Sequence, residues 1–228
     1  MLRAEVAHVA ARRHDLVWVD PCCLRQHLHG EIAPSERALV QEWFEHGRPA
    51  VVRRSEAHTP DGMINLGIPL SPQRGRLRIA LTLAAKVVRD IQPPLLLTRV
   101  TPHAPATWQA PLRYLAAAAE AMQLPLRVYG SLLWQHLTGE PYVTERSDVD
   151  LLFRVRDAFH LRSAMTLLLQ WERETGLRAD GELLLADGSG VAWRELLHGD
   201  GPVLVKRIAA ADLLARADVL QNPSRSAT

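Results

Sequence analysis

Cysteine is scarce in this 228-residue chain: there are two, Cys22 and Cys23, and they are adjacent. Neighbouring thiols bridge each other only with strain, so no disulfide framework is implied and a reducing cytoplasm is the expected setting. His27 and His29 follow, but the spacing fits no common zinc pattern, and a helix carrying spare thiols is the simpler reading. Long hydrophobic runs are missing too. No stretch reaches the roughly 18 to 20 apolar residues of a membrane span, and the N-terminus lacks the apolar segment and cleavage site of a leader. Charge of one sign is also in short supply, with 27 Lys and Arg against 25 Asp and Glu and a net charge of +2. That is too little to hold duplex nucleic acid by bulk electrostatics. Neither a nucleic acid nor a membrane is expected as a partner. What is present, 47% apolar and 23% charged residues, is ordinary for a globular protein with one or two buried cores.

Local patterns divide the chain. Residues 14–19 read as a strand, Asp20-Pro21 as the start of a helix to about Gly30, residues 35–46 as a second helix, and 49–53 as a strand. Residues 58–72, rich in Gly and Pro, read as loop or short extended pieces, and Ile79–Asp90 as helix. Five prolines fall between residues 91 and 111, which reads as a connection between lobes with one short strand in it. This gives an N-terminal lobe, 1–108, a second domain, 109–220, and a disordered tail, 221–228. In the second part, helix 112–123, strand 127–129, a helix opened by Gly130-Ser131, strand 148–153, helix 157–174 and strand 177–185 follow in turn. Asp187-Gly188 marks a hairpin to residues 191–193, then come a strand at 203–205 and a helix at 208–220.

The chemistry concentrates in that second part. Side chains alternate along a strand, so Asp148 and Asp150 point one way while Val149 and Leu151 point into the core. Two carboxylates held side by side repel each other, and a divalent cation relieves the repulsion. Hard oxygen ligands with room for water and phosphate oxygens describe Mg2+. Gly130 lets a phosphate approach closely, the helix start offers free N–H groups, and the Ser131 hydroxyl can bond a phosphate oxygen. Phosphoryl and nucleotidyl transfer need charge neutralised and oxygens aligned, and this set supplies both. A DxD pair or a GS pair alone is weak; their order, helix opened by GS and then acids heading an apolar strand, is more telling. The alternative is a solvated strand edge with unrelated acids.

This order resembles the DNA polymerase beta-like nucleotidyltransferase superfamily. The resemblance implies an α+β fold with a small mixed sheet and flanking helices, preceded here by a smaller α/β lobe. It also implies a third carboxylate from a later strand. Asp180 is the candidate and Glu182, on the same face by alternation, its rival. The phrases RVYGSLLWQHLTGEPYV (127–143), SDVDLLF (147–153), DGELLL (180–185), VAWREL (191–196) and VLVKR (203–207) narrow this. So do RHDLVWVD (13–20), RPAVVRR (48–54) and LGIPLSP (66–72). Together they resemble the phosphoribosyl-dephospho-CoA transferase family, also called malonate decarboxylase holo-acyl-carrier-protein synthases.

That resemblance implies a reaction. The donor is 2′-(5-triphosphoribosyl)-3′-dephospho-CoA, the acceptor a serine on the apo acyl-carrier subunit of malonate decarboxylase, and diphosphate leaves. Asp148 and Asp150 would bind the metal, and Asp180 would help activate the acceptor serine. Gly130 and Ser131 would hold the outgoing diphosphate. Lys206 with Arg207, and one of Arg53 and Arg54, would meet phosphate, or in the latter case an acidic carrier; solvated or ion-paired ends are the bland alternatives. Arg74, Arg76 and Arg78 share a face if extended and would suit an acidic carrier. Trp134 and Trp193 read as core before they read as adenine platforms, and His136 as packing. Two competing functions stay open: transfer to another protein or small molecule, and a non-catalytic binding module on the same fold.

Overall fold

The structure, a computed structural model, describes residues 11–29, 32–54, 59–75, 77–197, 199 and 201–223. Two compact units meet in the chain at Pro93 and Pro94. Residues 94–108, grouped by their prolines with the N-terminal lobe, belong to the second unit because their backbone is paired there. Leu97 N donates to Leu126 O at 2.9 Å and Val128 N to Leu95 O at 2.8 Å.

The first unit is built on one sheet. Its elements are β1 (Leu16–Val19), α1 (Leu24–His27), β2 (Leu28–His29), α2 (Pro34–Glu45), β3 (Ala50–Val52), β4 (Met63–Pro69), β5 (Arg78–Ala84) and β6 (Val88–Gln92). The sheet order is β2-β5-β4-β3-β1-β6, with every pairing antiparallel. Three expectations change here. The helix from Asp20 shrinks to one turn, because Leu28 and His29 pair with Leu83 and Thr82. The loop at 58–72 contains the seven-residue strand β4. The helix over Ile79–Asp90 is two strands: Ile79, Leu81 and Leu83 are buried while Arg78 and Ala80 are exposed, which is period two. Cys22 and Cys23 are both free thiols.

The second unit contains α3 (Leu97–Val100), α4 (Ala106–Ala121), β7 (Arg127–Val128), α5 (Gly130–Thr138), β8 (Val149–Phe153) and α6 (Ala158–Thr175). It continues with β9 (Ala179–Leu184), β10 (Gly190–Ala192), β11 (Pro202–Lys206), β12 (Ala211–Ala215) and α7 (Arg216–Gln221). The order is β12-β11-β10-β9-β8-β7, and only β8 and β9 run parallel, so the sheet is mixed and the fold α+β. A parallel pair needs a crossover, and α6 supplies it. Asp157 starts α6 by accepting from His160 N at 2.8 Å, and Gly176, at φ 71°, stops it. Its buried stripe, Leu161, Ala164, Leu168 and Trp171, faces the core, where each buried leucine contributes about 2 kcal/mol. Trp171 Nε1 donates to Pro111 O at 2.9 Å and ties α6 to α4.

The helix expected over 208–220 splits. Residues 211–215 pair along their whole length with β11, and only 216–221 are helical. Gln221 thus ends a helix, and residues 224–228 of the expected tail lie outside the described residues. Among the described residues, no helix is long and apolar enough to cross a membrane.

Candidate active site

β7, α5, β8 and β9 converge on one end of the second sheet. β7 pairs antiparallel with β8, and Tyr129 N donates to Asp150 O at 3.1 Å. The chain then turns into α5 through Gly130, whose φ of +65° is left-handed. A Cβ at Gly130 would stand 1.8 Å from Asp150 Oδ2 and 2.7 Å from its Cγ. Only glycine lets the helix start sit directly on that carboxylate. Tyr129, at the N-cap, makes no side-chain hydrogen bond to α5, and the first-turn N–H groups of a helix start beside Asp150 suit a phosphate. Ser131, the next residue, is half-buried in the same turn.

β8 and β9 add the remaining acids. In their parallel register Val149 pairs with Ala179 and Asp150 with Asp180. Asp150 and Asp180 therefore sit side by side, and Asp148 stands two residues, about 6.6 Å, before Asp150. Arg178 Nε lies 3.6 Å from Asp148 Oδ2, and Arg178 O accepts from Val149 N at 2.8 Å. Gly181 N donates to Asp180 Oδ1 at 2.8 Å. Among the described residues, no group of three or more His, Cys, Asp or Glu side chains forms a ready-made metal cage. Magnesium asks for none: it takes one or two carboxylates and completes its shell with water and phosphate. The donor set is hard oxygen, and Gly130 brings the start of α5 against the Asp150 carboxylate, so the residues suit such an ion with a phosphate beside it.

Glu182, the rival third acid, is engaged elsewhere. Its side chain is 5% exposed, Lys206 Nζ donates to its Oε1 at 3.0 Å, and a Cβ at Gly190 would come within 2.3 Å of its Oε2. Lys206 is thus the partner of a buried carboxylate. Replacing it with Met takes the cationic partner from a buried carboxylate, at a cost of about 2 kcal/mol. Thermal denaturation of Lys206→Met should show a melting temperature about 6 °C lower, and Glu182→Gln added to it should recover most of that.

The other sequence candidates fall as follows. Arg53 and Arg54 follow β3 in the first unit; Arg53 N donates to Asn65 O at 2.9 Å, its stem covers Gly67, and Arg54 is exposed. Arg74 pairs with Glu42 at 3.1 Å, and Arg76 lies outside the described residues. Arg207 bridges Asp187 and Asp212 at 2.9 and 2.7 Å. Trp134 and Trp193 are buried in the core. His136 Nδ1 lies 2.8 Å from His103 Nδ1, and burial, then His103 and Arg99, hold its pKa below the ordinary value. Sequence reasoning missed Glu172 and Arg194, which meet at the backbone of Ala179; their partners lie 7 and 15 positions away, with no local signal.

The Gly130 geometry makes a specific expectation. Ala at 130 forces the Asp150 carboxylate aside, which a short side chain can do without unfolding the protein. Gly130→Ala should cost about 1–2 kcal/mol of stability for the left-handed backbone but about a hundredfold in kcat/KM for the displaced carboxylate. Denaturation and steady-state kinetics on one preparation check both.

Comparison with known proteins concerns the chain as a whole. Residues 12–94 match the phosphoribosyl-dephospho-CoA transferase MdcG N-terminal domain, and residues 95–217 the C-terminal domain of the same enzyme. The junction falls one residue from the division between the two units. A phosphoribosyl-dephospho-CoA transferase of Xanthomonas campestris pv. campestris is 43% identical over 206 residues, 90% of this chain and 95% of its own. One from Xanthomonas euvesicatoria pv. vesicatoria is 41% identical over 218 residues, 95% and 99% of the two chains. Another, from Bradyrhizobium diazoefficiens, is 36% identical over 214 residues, 94% of each. No solved structure gives a significant match. Matched along both units and to relatives of its own length, the chain belongs to the phosphoribosyl-dephospho-CoA transferase family.

Proposed function

We propose that this transferase moves the phosphoribosyl-dephospho-CoA group from 2′-(5-triphosphoribosyl)-3′-dephospho-CoA to a serine of the apo acyl-carrier subunit of malonate decarboxylase, with release of diphosphate. One observation carries the reading: Gly130 opens a helix directly on the carboxylate of Asp150, which shares its register position with Asp180. The family name of the relatives supplies the transferred group.

Each residue has a task. Asp148 and Asp150 would hold Mg2+, which when bound neutralises the donor's triphosphate and withdraws charge from the phosphorus under attack. Gly130 and Ser131 hold the leaving diphosphate, through backbone N–H groups and the Ser131 hydroxyl. Asp180 takes the proton of the acceptor serine as its oxygen bonds to the α-phosphorus. The bond from that phosphorus to the bridging oxygen breaks, and the electron pair leaves with diphosphate. Arg53, Arg54 and the first unit serve donor or carrier binding in this scheme. Lys206 acts through Glu182. The reaction is assigned to the cytoplasm, where free thiols persist.

Intact-mass measurement of the carrier tests the scheme. Incubation with the donor, Mg2+ and the apo carrier should add the mass of one phosphoribosyl-dephospho-CoA group and release one diphosphate. A folded enzyme and competent carrier that give no gain would defeat the assignment; modification of a different acceptor would leave the transfer and replace the partner.

A further inference from the structure

Between β9 and β10 the ladder is incomplete. Its register covers Glu182, Leu183 and Leu184, opposite Ala192, Val191 and Gly190, and stops there because Trp193 turns away. Ala179 is fully buried beyond that stop, and its N–H and C=O both point to the side where β10 has ended. Two side chains fill the gap. Glu172 Oε1, on α6, accepts from Ala179 N at 2.7 Å, and Arg194 Nη2 donates to Ala179 O at 2.6 Å. Arg194 also pairs with Glu172, and its guanidinium lies 4.7 Å from the centroid of the Trp193 ring.

We propose that Glu172 and Arg194 are positioning residues for transfer: they hold the backbone of Ala179 in place of the missing strand and so keep Asp180 level with Asp150. The inference rests on Asp180 as the acid that meets the acceptor. Ala179 pairs with Val149, the residue between Asp148 and Asp150, so the clamp acts at the register step that sets all three acids. The energetic cost favours a positional role over a mere strand end. Arg194 Nε is buried without a hydrogen bond, and setting a partly buried ion pair at a strand end is more costly than an apolar closure would be. The clamp also explains Trp-Arg-Glu-Leu, 193–196, as a functional phrase: the buried Trp193 fixes the turn from which Arg194 reaches back.

Steady-state kinetics on Arg194→Met, Arg194→Lys and the charge-free pair Arg194→Met with Glu172→Met test this, with folded fraction measured by circular dichroism. Asp180→Asn runs beside them. Asp180→Asn should lose about 10²–10⁴-fold in kcat. Arg194→Met should lose about 10–100-fold in kcat per folded molecule, with donor KM little changed, and Arg194→Lys should recover part of it. If Arg194→Met does not fold, the double variant and Glu172→Gln, which keeps the shape of the acceptor, give the same comparison. Folded variants with unchanged kcat beside an inactive Asp180→Asn would overturn the clamp alone. An active Asp180→Asn would overturn the acid itself, and the clamp with it.

Discussion

Asp150→Asn should leave a folded protein that no longer modifies its acceptor. The expected loss in kcat/KM is at least about a thousandfold, equivalent to about 4 kcal/mol of transition-state stabilisation. Asp148→Asn should follow it, with a smaller loss, because Arg178 already offsets part of the Asp148 charge and Asp148 stands farther from Asp180. The stability readout should move the other way. Asp150 faces a carboxylate at the same register position on β9 and another two residues earlier. Repulsion at about 7 Å with an effective dielectric near 20 amounts to about 2 kcal/mol per pair before screening. Removing one charge relieves it, and Asn keeps the shape of the side chain and one oxygen for the contacts Asp150 makes, so the melting temperature should hold or rise by a few degrees while activity disappears. A parallel fall in both would mean that Asp150 is a structural residue and would sink the metal-site reading. The measurements are a calorimetric scan and the carrier mass assay on the same sample.

Much of the site is visible in the sequence because its determinants are local. Gly130-Ser131 opens a helix after a short strand, DVDLLF alternates acid and apolar residues, and Asp157 caps α6, each a signal contained within a few residues. The Asp187-Gly188 hairpin is equally local, with Leu185 N donating to Ser189 O at 2.9 Å. What failed was decided by distant partners. Ile79–Asp90 carries enough Leu and Ala to read as helix, yet β4 pairs with β5 over seven residues and imposes period two. Residues 211–215, ADLLA, have good helix formers, but β11 recruits them as its outer neighbour. Alternation could not separate Asp180 from Glu182, since both face one way. The distinction comes from Lys206, 24 positions on, which engages Glu182.

Gly181→Ala should be the most damaging single methyl in the second unit. At φ +136° Gly181 occupies a region that side chains rarely adopt, and its added Cβ would come within 1.9 Å of Leu151 O and 2.7 Å of Leu151 N. At Gly130 the obstacle is the end of a short side chain, which can rotate away. Here it is the backbone of β8, and relief requires the two parallel strands to separate. Strain of about 1–3 kcal/mol for the conformation, together with weakened ladder hydrogen bonds at about 1 kcal/mol each, puts the loss near 4 kcal/mol. That is a large part of the stability of an ordinary domain. Whatever folds should also be inactive, because Gly181 follows Asp180 and its N–H donates to the Asp180 carboxylate. Chemical denaturation should therefore show a lower midpoint, and the residual folded fraction should show low kcat. A Gly181→Ala protein with normal midpoint and normal kcat would mean that β8 and β9 are not in the close register described, and that Asp150 and Asp180 do not meet.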